Sequence, residues 1–175
     1  MTVINQSGGF SLNDYRFEDM KPEYLGPVLA IYNHYILNST ATFHIQPLAL
    51  DEMKDIVFHD NPRYRAIVAF LETEICGYGY LAPYRKREAY DGTAEITIYL
   101  KPEATGRGLG SKIVEYLEEM ARGAGIHTLI AVICGENQAS IKLFMKNGYV
   151  QCANLREVGQ KFGRLLDVVC YQKIL

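Results

Sequence analysis

The spacing of apolar residues along this chain changes period several times, and each change marks an element. From Pro22 to Leu37, the residues Tyr24, Leu25, Val28, Ile31, Tyr32 and Tyr35 recur at steps mostly of three and four. That spacing predicts a helix, with Pro22 near its start, where a missing N–H costs little. Leu50, Met53, Ile56 and Val57 predict a second helix over 49–58, which Asn61-Pro62 breaks. The pattern then turns to that of strands. Segments 64–71 and 75–84 are rich in β-branched and aromatic residues and meet across Glu72-Thr73-Glu74, as the arms of a hairpin do. Thr93 to Leu100 alternates Thr, Ile and Tyr as a further strand, stopped by Lys101-Pro102.

A Gly-rich segment, Thr105-Gly106-Arg107-Gly108-Leu109-Gly110, follows and opens a helix whose inner face is Leu109, Ile113, Tyr116, Leu117 and Met120, with Gly123 and Gly125 at its exit. Thr128 to Ile133 is near-continuously apolar and reads as a buried strand. Asn137 to Lys146 carries Ile141, Phe144 and Met145 as a second amphipathic helix ended by Asn147-Gly148. Residues 149–175 read as two strands joined around Gly159 to Gly163. This order predicts a mixed α/β sheet rather than a regular doubly wound one. Residues 1–13 are polar and Gly-containing, a lead-in to one domain over 14–175.

Composition narrows the function classes. With 49% apolar and 22% charged residues in a chain of 175, one soluble globular domain is expected. A formal charge of -2 argues against a surface that tracks a phosphate backbone, so no nucleic-acid partner is expected. No apolar run approaches the ~20 residues needed to span a bilayer, so no membrane partner is expected. Cys76, Cys134, Cys152 and Cys170 lie far apart without CxxC spacing, and no basic-then-apolar leader precedes them. They read as reduced thiols in a cytoplasmic protein, with Cys76, Cys134 and Cys170 as small buried hydrophobes. His34 reads as a packing residue, and no ligand spacing points to a metal.

The glycine segment is where chemistry first shows. Glycines leaving a strand and opening a helix can aim several backbone N–H groups at one anion, and the helix dipole adds attraction. Phosphate is the natural guest. No Lys-Ser or Lys-Thr follows these glycines, which excludes the GxxxxGK[ST] loop of NTPases. Gly106-x-Gly108-x-Gly110 also departs from the GxGxxG dinucleotide fingerprint and comes late, after antiparallel strands.

The segment resembles the pyrophosphate loop of the GCN5-related N-acetyltransferases, Gln/Arg-x-x-Gly-x-Gly/Ala, with Gly108-Leu109-Gly110 as its second half. Thr105 stands where the family has Gln or Arg, which implies a less pre-ordered loop. The run from Asn137 through Ala139-Ser140-Ile141, Leu143-Phe144, Lys146 and Gly148-Tyr149 resembles the family's second signature. Asn33-His34-Tyr35-Ile36 with Ser39 to Phe43, Ala89 to Glu95, and Ile130 to Ile133 are similar to the phosphinothricin and methionine sulfoximine acetyltransferase subfamily. The resemblance implies a splayed, mostly antiparallel seven-stranded sheet flanked by helices, acetyl-CoA as cosubstrate without a metal, and a homodimer.

It also implies roles. Glu95 aligns with the catalytic base, which must take a proton from an amine that is largely protonated at neutral pH, so partial burial of Glu95, or a bridging water that carries the proton, is expected. Ile98, Tyr99 and Leu100 supply backbone to the cosubstrate; Thr105, Gly106, Arg107, Gly108, Leu109, Gly110 and Ser111 hold its diphosphate. Asn137 meets the pantetheine arm or caps a helix, and both readings stand. Phe144 replaces a Tyr that would protonate the departing sulfur, so no general acid is identified. Arg85 and Arg87 would grip a substrate carboxylate, and Tyr35, Phe43, Tyr84 and Tyr90 would wall the pocket of a small amino-acid-like amine. The rival readings are a same-fold acetyltransferase acting on a protein N-terminus, a lysine or an aminoglycoside, and a non-catalytic acyl-CoA-binding sensor.

Overall fold

The structure is a computed structural model that describes residues 14–175; the anticipated lead-in, 1–13, lies outside the described residues. Seven strands form one sheet: β1 (Tyr15–Asp19), β2 (Ala66–Leu71), β3 (Glu74–Pro83), β4 (Thr93–Leu100), β5 (Thr128–Cys134), β6 (Val150–Lys161) and β7 (Arg164–Ile174). Their spatial order is β1-β2-β3-β4-β5-β7-β6. Every pairing is antiparallel except β4 with β5. Strand β1 had no counterpart among the predicted strands, because Tyr15-Arg16-Phe17-Glu18-Asp19 is short and charged, as an edge strand can be.

Helices α1 (Leu25–Asn38) and α2 (Leu50–Val57) cover one face, and α3 (Leu109–Gly123) and α4 (Gln138–Lys146) the other. On the first face Val28, Tyr32 and Ile36 of α1 and Met53 and Val57 of α2 pack on Val68 and Tyr78. The anticipated start at Pro22 is a single 3-10 turn, Pro22–Tyr24, that leads into α1. On the second face Ile113, Leu117 and Phe144 pack on Leu81, Ile96 and Leu129. Helix α3 lies directly on β3 at Gly79, where an added Cβ would come within 2.7 Å of Ile113 Cγ2 and 2.9 Å of Leu117 Cδ1.

Three positions counted toward apolar faces are corrected, the first being Leu50, which is exposed at the start of α2. Val132 is 44% exposed although β5 reads as continuously apolar, because its side of the strand borders an opening in the sheet. Met145 is exposed, since α4 turns Ile141 and Phe144 inward and leaves the next position to solvent. Cys76 and Cys134 are buried as expected, Cys170 is partly so and Cys152 is exposed. The final hairpin turns at Phe162-Gly163, and Gly159 lies within β6.

Candidate active site

β4 runs beside β5 for only three residue pairs, Thr93–Thr128, Ala94–Leu129 and Glu95–Ile130, and then diverges. Backbone polar groups alternate sides along a strand. The Lys101 N–H donates to the Cys76 carbonyl, toward β3, while the Gly92 carbonyl accepts from His127 and Thr128, toward β5. Odd-numbered residues of β4 therefore address β3 and even-numbered ones address β5. Beyond Glu95 the N–H and C=O groups of Ile98 and Leu100 face a gap. The Tyr35 hydroxyl donates to the Leu100 carbonyl at 2.7 Å. Tyr99 turns its own amide to β3 and contributes its ring.

A cavity of about 690 Å³ fills this gap. Its walls include Ile98, Tyr99 and Leu100 of β4, Val132 and Ile133 of β5, and Asn137, Leu143 and Phe144 around α4. Thr105, Gly106, Gly108, Gly110 and Ser111 line it where α3 begins. Gly108 caps that helix at φ 85, a left-handed conformation that glycine adopts without strain, and no side chain caps the helix. The first-turn N–H groups are thus left for a ligand. At Gly110 an added Cβ would stand 3.1 Å from Leu143, so a larger residue there would press on α4.

Thr105 donates its hydroxyl to the Pro102 carbonyl at 2.7 Å, closing the turn before the loop. The Leu109 side chain is buried in the core, which restricts its part in binding to the backbone, and Arg107 is exposed and does not line the cavity. Asn137 is both a cavity residue and the cap of α4, its Oδ1 accepting from the Ser140 N–H at 3.2 Å. Phe144 is buried edge-on against Tyr149.

Glu95 lies at the last pair before the strands part, on the face that carries α1. Burial raises its carboxyl pKa above the ordinary 4.5, with no other contributing cause. On the same face Tyr99 packs with Tyr32, Tyr35 and Tyr78 at centroid separations of 5.0, 5.4 and 5.6 Å. Tyr84 and Tyr90 meet edge-on in the β3–β4 connection, which enters β4 two residues before Glu95. The Arg85 guanidinium lies 5.2 Å over the Tyr84 ring, and Arg87 is exposed just before the 3-10 turn Glu88–Tyr90. Of the four proposed wall aromatics only Tyr35 lines the main cavity; Phe43 instead covers Gly159 of β6. His34 is exposed on α1, edge-on to Tyr35.

Sequence reasoning missed Thr40, Ala41, Glu136 and Lys146 as cavity residues. Glu136 directly precedes the recognised Asn137 and Lys146 lies inside the second signature, so adjacency was the available signal. Thr40 and Ala41 lie in the Ser39–Phe43 stretch already likened to the subfamily, which a loop brings to the cavity.

Comparison with known proteins agrees with this geometry. The family model described as "Acetyltransferase (GNAT) family" matches residues 28–149. A phosphinothricin N-acetyltransferase of Streptomyces coelicolor is 36% identical over 157 residues, covering 87% of this chain and 92% of its own. An L-methionine sulfoximine/L-methionine sulfone acetyltransferase of Pseudomonas aeruginosa is 35% identical over 148 residues, covering 83% and 86%. The crystal structure of a phosphinothricin acetyltransferase from Sinorhizobium meliloti in complex with acetyl-CoA superposes with a TM-score of 0.86 at 31% identity, covering 93% of this chain and 89% of that one. The chain belongs to the GNAT acetyltransferase family. It is an acetyl-CoA-dependent N-acetyltransferase, and the parted strands, the free amides of the glycine loop and the cavity between them suit that cosubstrate.

Proposed function

We propose that the acceptor is the primary amine of a small amino-acid-like molecule bearing a carboxylate, such as phosphinothricin or methionine sulfoximine or sulfone. One observation carries this reading: a half-buried Glu95 with a raised pKa stands where the sheet opens, beside an exposed arginine-bearing loop. Acetyl-CoA supplies an activated acyl group. Glu95 accepts the proton that the amine must lose, directly or through a water, and a positioned base of this kind is worth ~10²–10⁴ in rate. The Ile98 N–H is the donor for charge that develops on the carbonyl oxygen. Gly106, Gly108 and Gly110 with Ser111 hold the diphosphate, and Asn137 meets the arm between the two. Phe144 offers no proton to the sulfur, which leaves as a thiolate; a thiol pKa of about 8.5 makes that tolerable.

Arg87, with Arg85 held over Tyr84, grips the acceptor carboxylate through a guanidinium fork. This anion-seeking loop disfavours a cationic aminoglycoside. The protein acts in the cytoplasm, which suits its four free thiols. It forms a homodimer through the exposed apolar residues Leu155, Val158, Phe162 and Leu165 of the β6–β7 hairpin. The test is thiol release from acetyl-CoA against phosphinothricin, methionine sulfoximine, methionine sulfone, common amino acids, an aminoglycoside and an N-terminal peptide. Turnover confined to the amino-acid analogues is expected, and turnover on the peptide or aminoglycoside instead overturns the reading.

A further inference from the structure

The segment Ser39–His44 joins α1 to α2 without regular structure, yet it is bonded at nearly every residue. The Ser39 hydroxyl donates to the Tyr35 carbonyl at 3.0 Å, and the Tyr99 hydroxyl donates to the Ala41 carbonyl at 3.2 Å. Lys161 Nζ donates to the Thr42 carbonyl at 2.8 Å. The Tyr32 hydroxyl bonds both Thr42 Oγ1, at 2.8 Å, and His44 Nδ1, at 2.7 Å. Two of these partners belong to α1, one to β4 and one to the far hairpin, so the segment is a strap spanning the opening between the half-sheets.

One contact ties the strap to the cosubstrate side. Thr40, only 8% exposed, donates its hydroxyl to Glu136 Oε1 at 2.7 Å. Arg164, in the β6–β7 hairpin, grips the same carboxylate with both Nη atoms, at 2.6 and 2.7 Å. The Arg164 fork foremost, and then Thr40, hold the Glu136 pKa below its ordinary value, so the carboxylate stays ionised. An isolated exposed ion pair contributes little, but a two-point fork with a third bond from a buried hydroxyl fixes a geometry. Glu136 is adjacent to Asn137, and the preceding Gly135 donates its N–H to the Asp167 carbonyl at 2.8 Å, which anchors the whole turn on β7.

The faces of the sheet give this contact its consequence. The glycine loop lies on the α3/α4 face, whereas Glu95, the Tyr99 ring and the strap lie on the α1/α2 face. A cosubstrate anchored by its diphosphate at the loop must pass between β4 and β5 and present its thioester under the strap, where Ser39, Thr40, Ala41 and Glu136 line the cavity.

We propose that Glu136 is a positioning residue for acetyl transfer: by holding Thr40 it keeps the strap over the emerging thioester and excludes water from it. When the strap is loosened, water attacks the acetyl carbonyl carbon, the C–S bond breaks, and acetate, the CoA thiol and one proton are released. Binding of the cosubstrate at the glycine loop is left intact.

The inference rests on acetyl-CoA chemistry and not on the acceptor's identity, so it is tested with no amine present. Acetyl-CoA hydrolysis is followed by thiol release in wild type, Glu136→Gln, Thr40→Val and Thr40→Ser, with CoA affinity measured by calorimetry and folding checked by thermal melts. Glu136→Gln and Thr40→Val should raise hydrolysis on the order of tenfold, the factor that one hydrogen bond to a charged group can carry. The double variant should be no leakier than the worse single one, and Thr40→Ser, which keeps the donor, should restore the low wild-type rate; the calorimetric CoA affinity lets each hydrolysis rate be compared at saturation. Unchanged hydrolysis in folded Glu136→Gln and Thr40→Val overturns the proposal, and so does a Thr40→Ser variant as leaky as Thr40→Val. An acceptor panel without turnover would overturn the acceptor reading alone and leave this result standing.

Discussion

Glu95→Gln separates what burial does for catalysis from what it costs in stability, and the two readouts move in opposite directions. Gln has nearly the same shape and leaves the Ala82–Glu95–Ile130 register unchanged. It removes the carboxylate that stands where the strands part. Because Glu95 is not among the residues that line the cosubstrate cavity, CoA affinity should stay within about twofold, while kcat falls by ~10²–10⁴. Burial raises the folded-state pKa, so the native protein disfavours the ionised form. Stability attributable to Glu95 is therefore fully present below the unfolded pKa and is lost as pH rises through the folded one. At neutral pH the Gln variant should melt at a higher temperature than wild type, and the difference should shrink on acidification. The assay is kcat/KM from thiol release across pH, run beside thermal melts. Wild type should show an acid limb with its midpoint above 4.5, and the variant should lack that limb. A variant that keeps both the limb and its kcat would refute Glu95 as the base, and a lower melting temperature at neutral pH would refute the desolvation argument.

Substitutions at three further positions test other parts of the site and the packing beneath it. Arg87→Ala should raise KM for a carboxylate-bearing acceptor about tenfold with kcat nearly unchanged; equal KM values for the acid and its amide in wild type would remove the carboxylate grip. Asn137→Ala should lower stability by about 1 kcal/mol by denaturant titration, through loss of the helix cap, and also raise KM for acetyl-CoA. Asn137→Asp keeps the capping oxygen and should recover stability but not KM, whereas full recovery of both would reduce Asn137 to a cap. Gly79→Ala should destabilise by ~1–3 kcal/mol, because its Cβ would meet Ile113 and Leu117 under 3.0 Å; an unchanged melt would mean that α3 moves aside freely.

The sheet and its helices were readable wherever period and punctuation coincided. Thr93–Leu100 was found to the residue because Gly92 and Pro102 bracket an alternating run, and α4 because Asn137 and Gly148 mark its ends. The start of α3 was equally legible, since glycine spacing encodes the left-handed cap at Gly108 from which the helix begins. Val132 and Met145 were misjudged for one reason: apolar identity does not say which side of an element opens onto a cavity, as at Val132, or onto solvent, as at Met145. The strap's residues, Ser39–Phe43, stood out only by resemblance; its order could not be read because it comes from Tyr32, Tyr99, Glu136 and Lys161, all outside the segment. Phe43 illustrates the limit from the other side. Its aromatic ring suggested a pocket wall, but the absence of a Cβ at Gly159 gives it a flat seat on β6.

The three-pair seam between β4 and β5 makes this sheet mechanically two plates, β1–β4 and β5–β7, joined along one short line and braced by the helices. On the proposed binding mode, a cosubstrate whose amides reach Ile98 and Leu100 would act as a rivet through that line. Amide hydrogens bordering the seam, at Ile98, Leu100 and Val132, should therefore exchange much faster in the free enzyme than in its CoA complex. The protection gained should fade with distance toward β1 and β6, so that the protein stiffens outward from its middle when the cosubstrate binds.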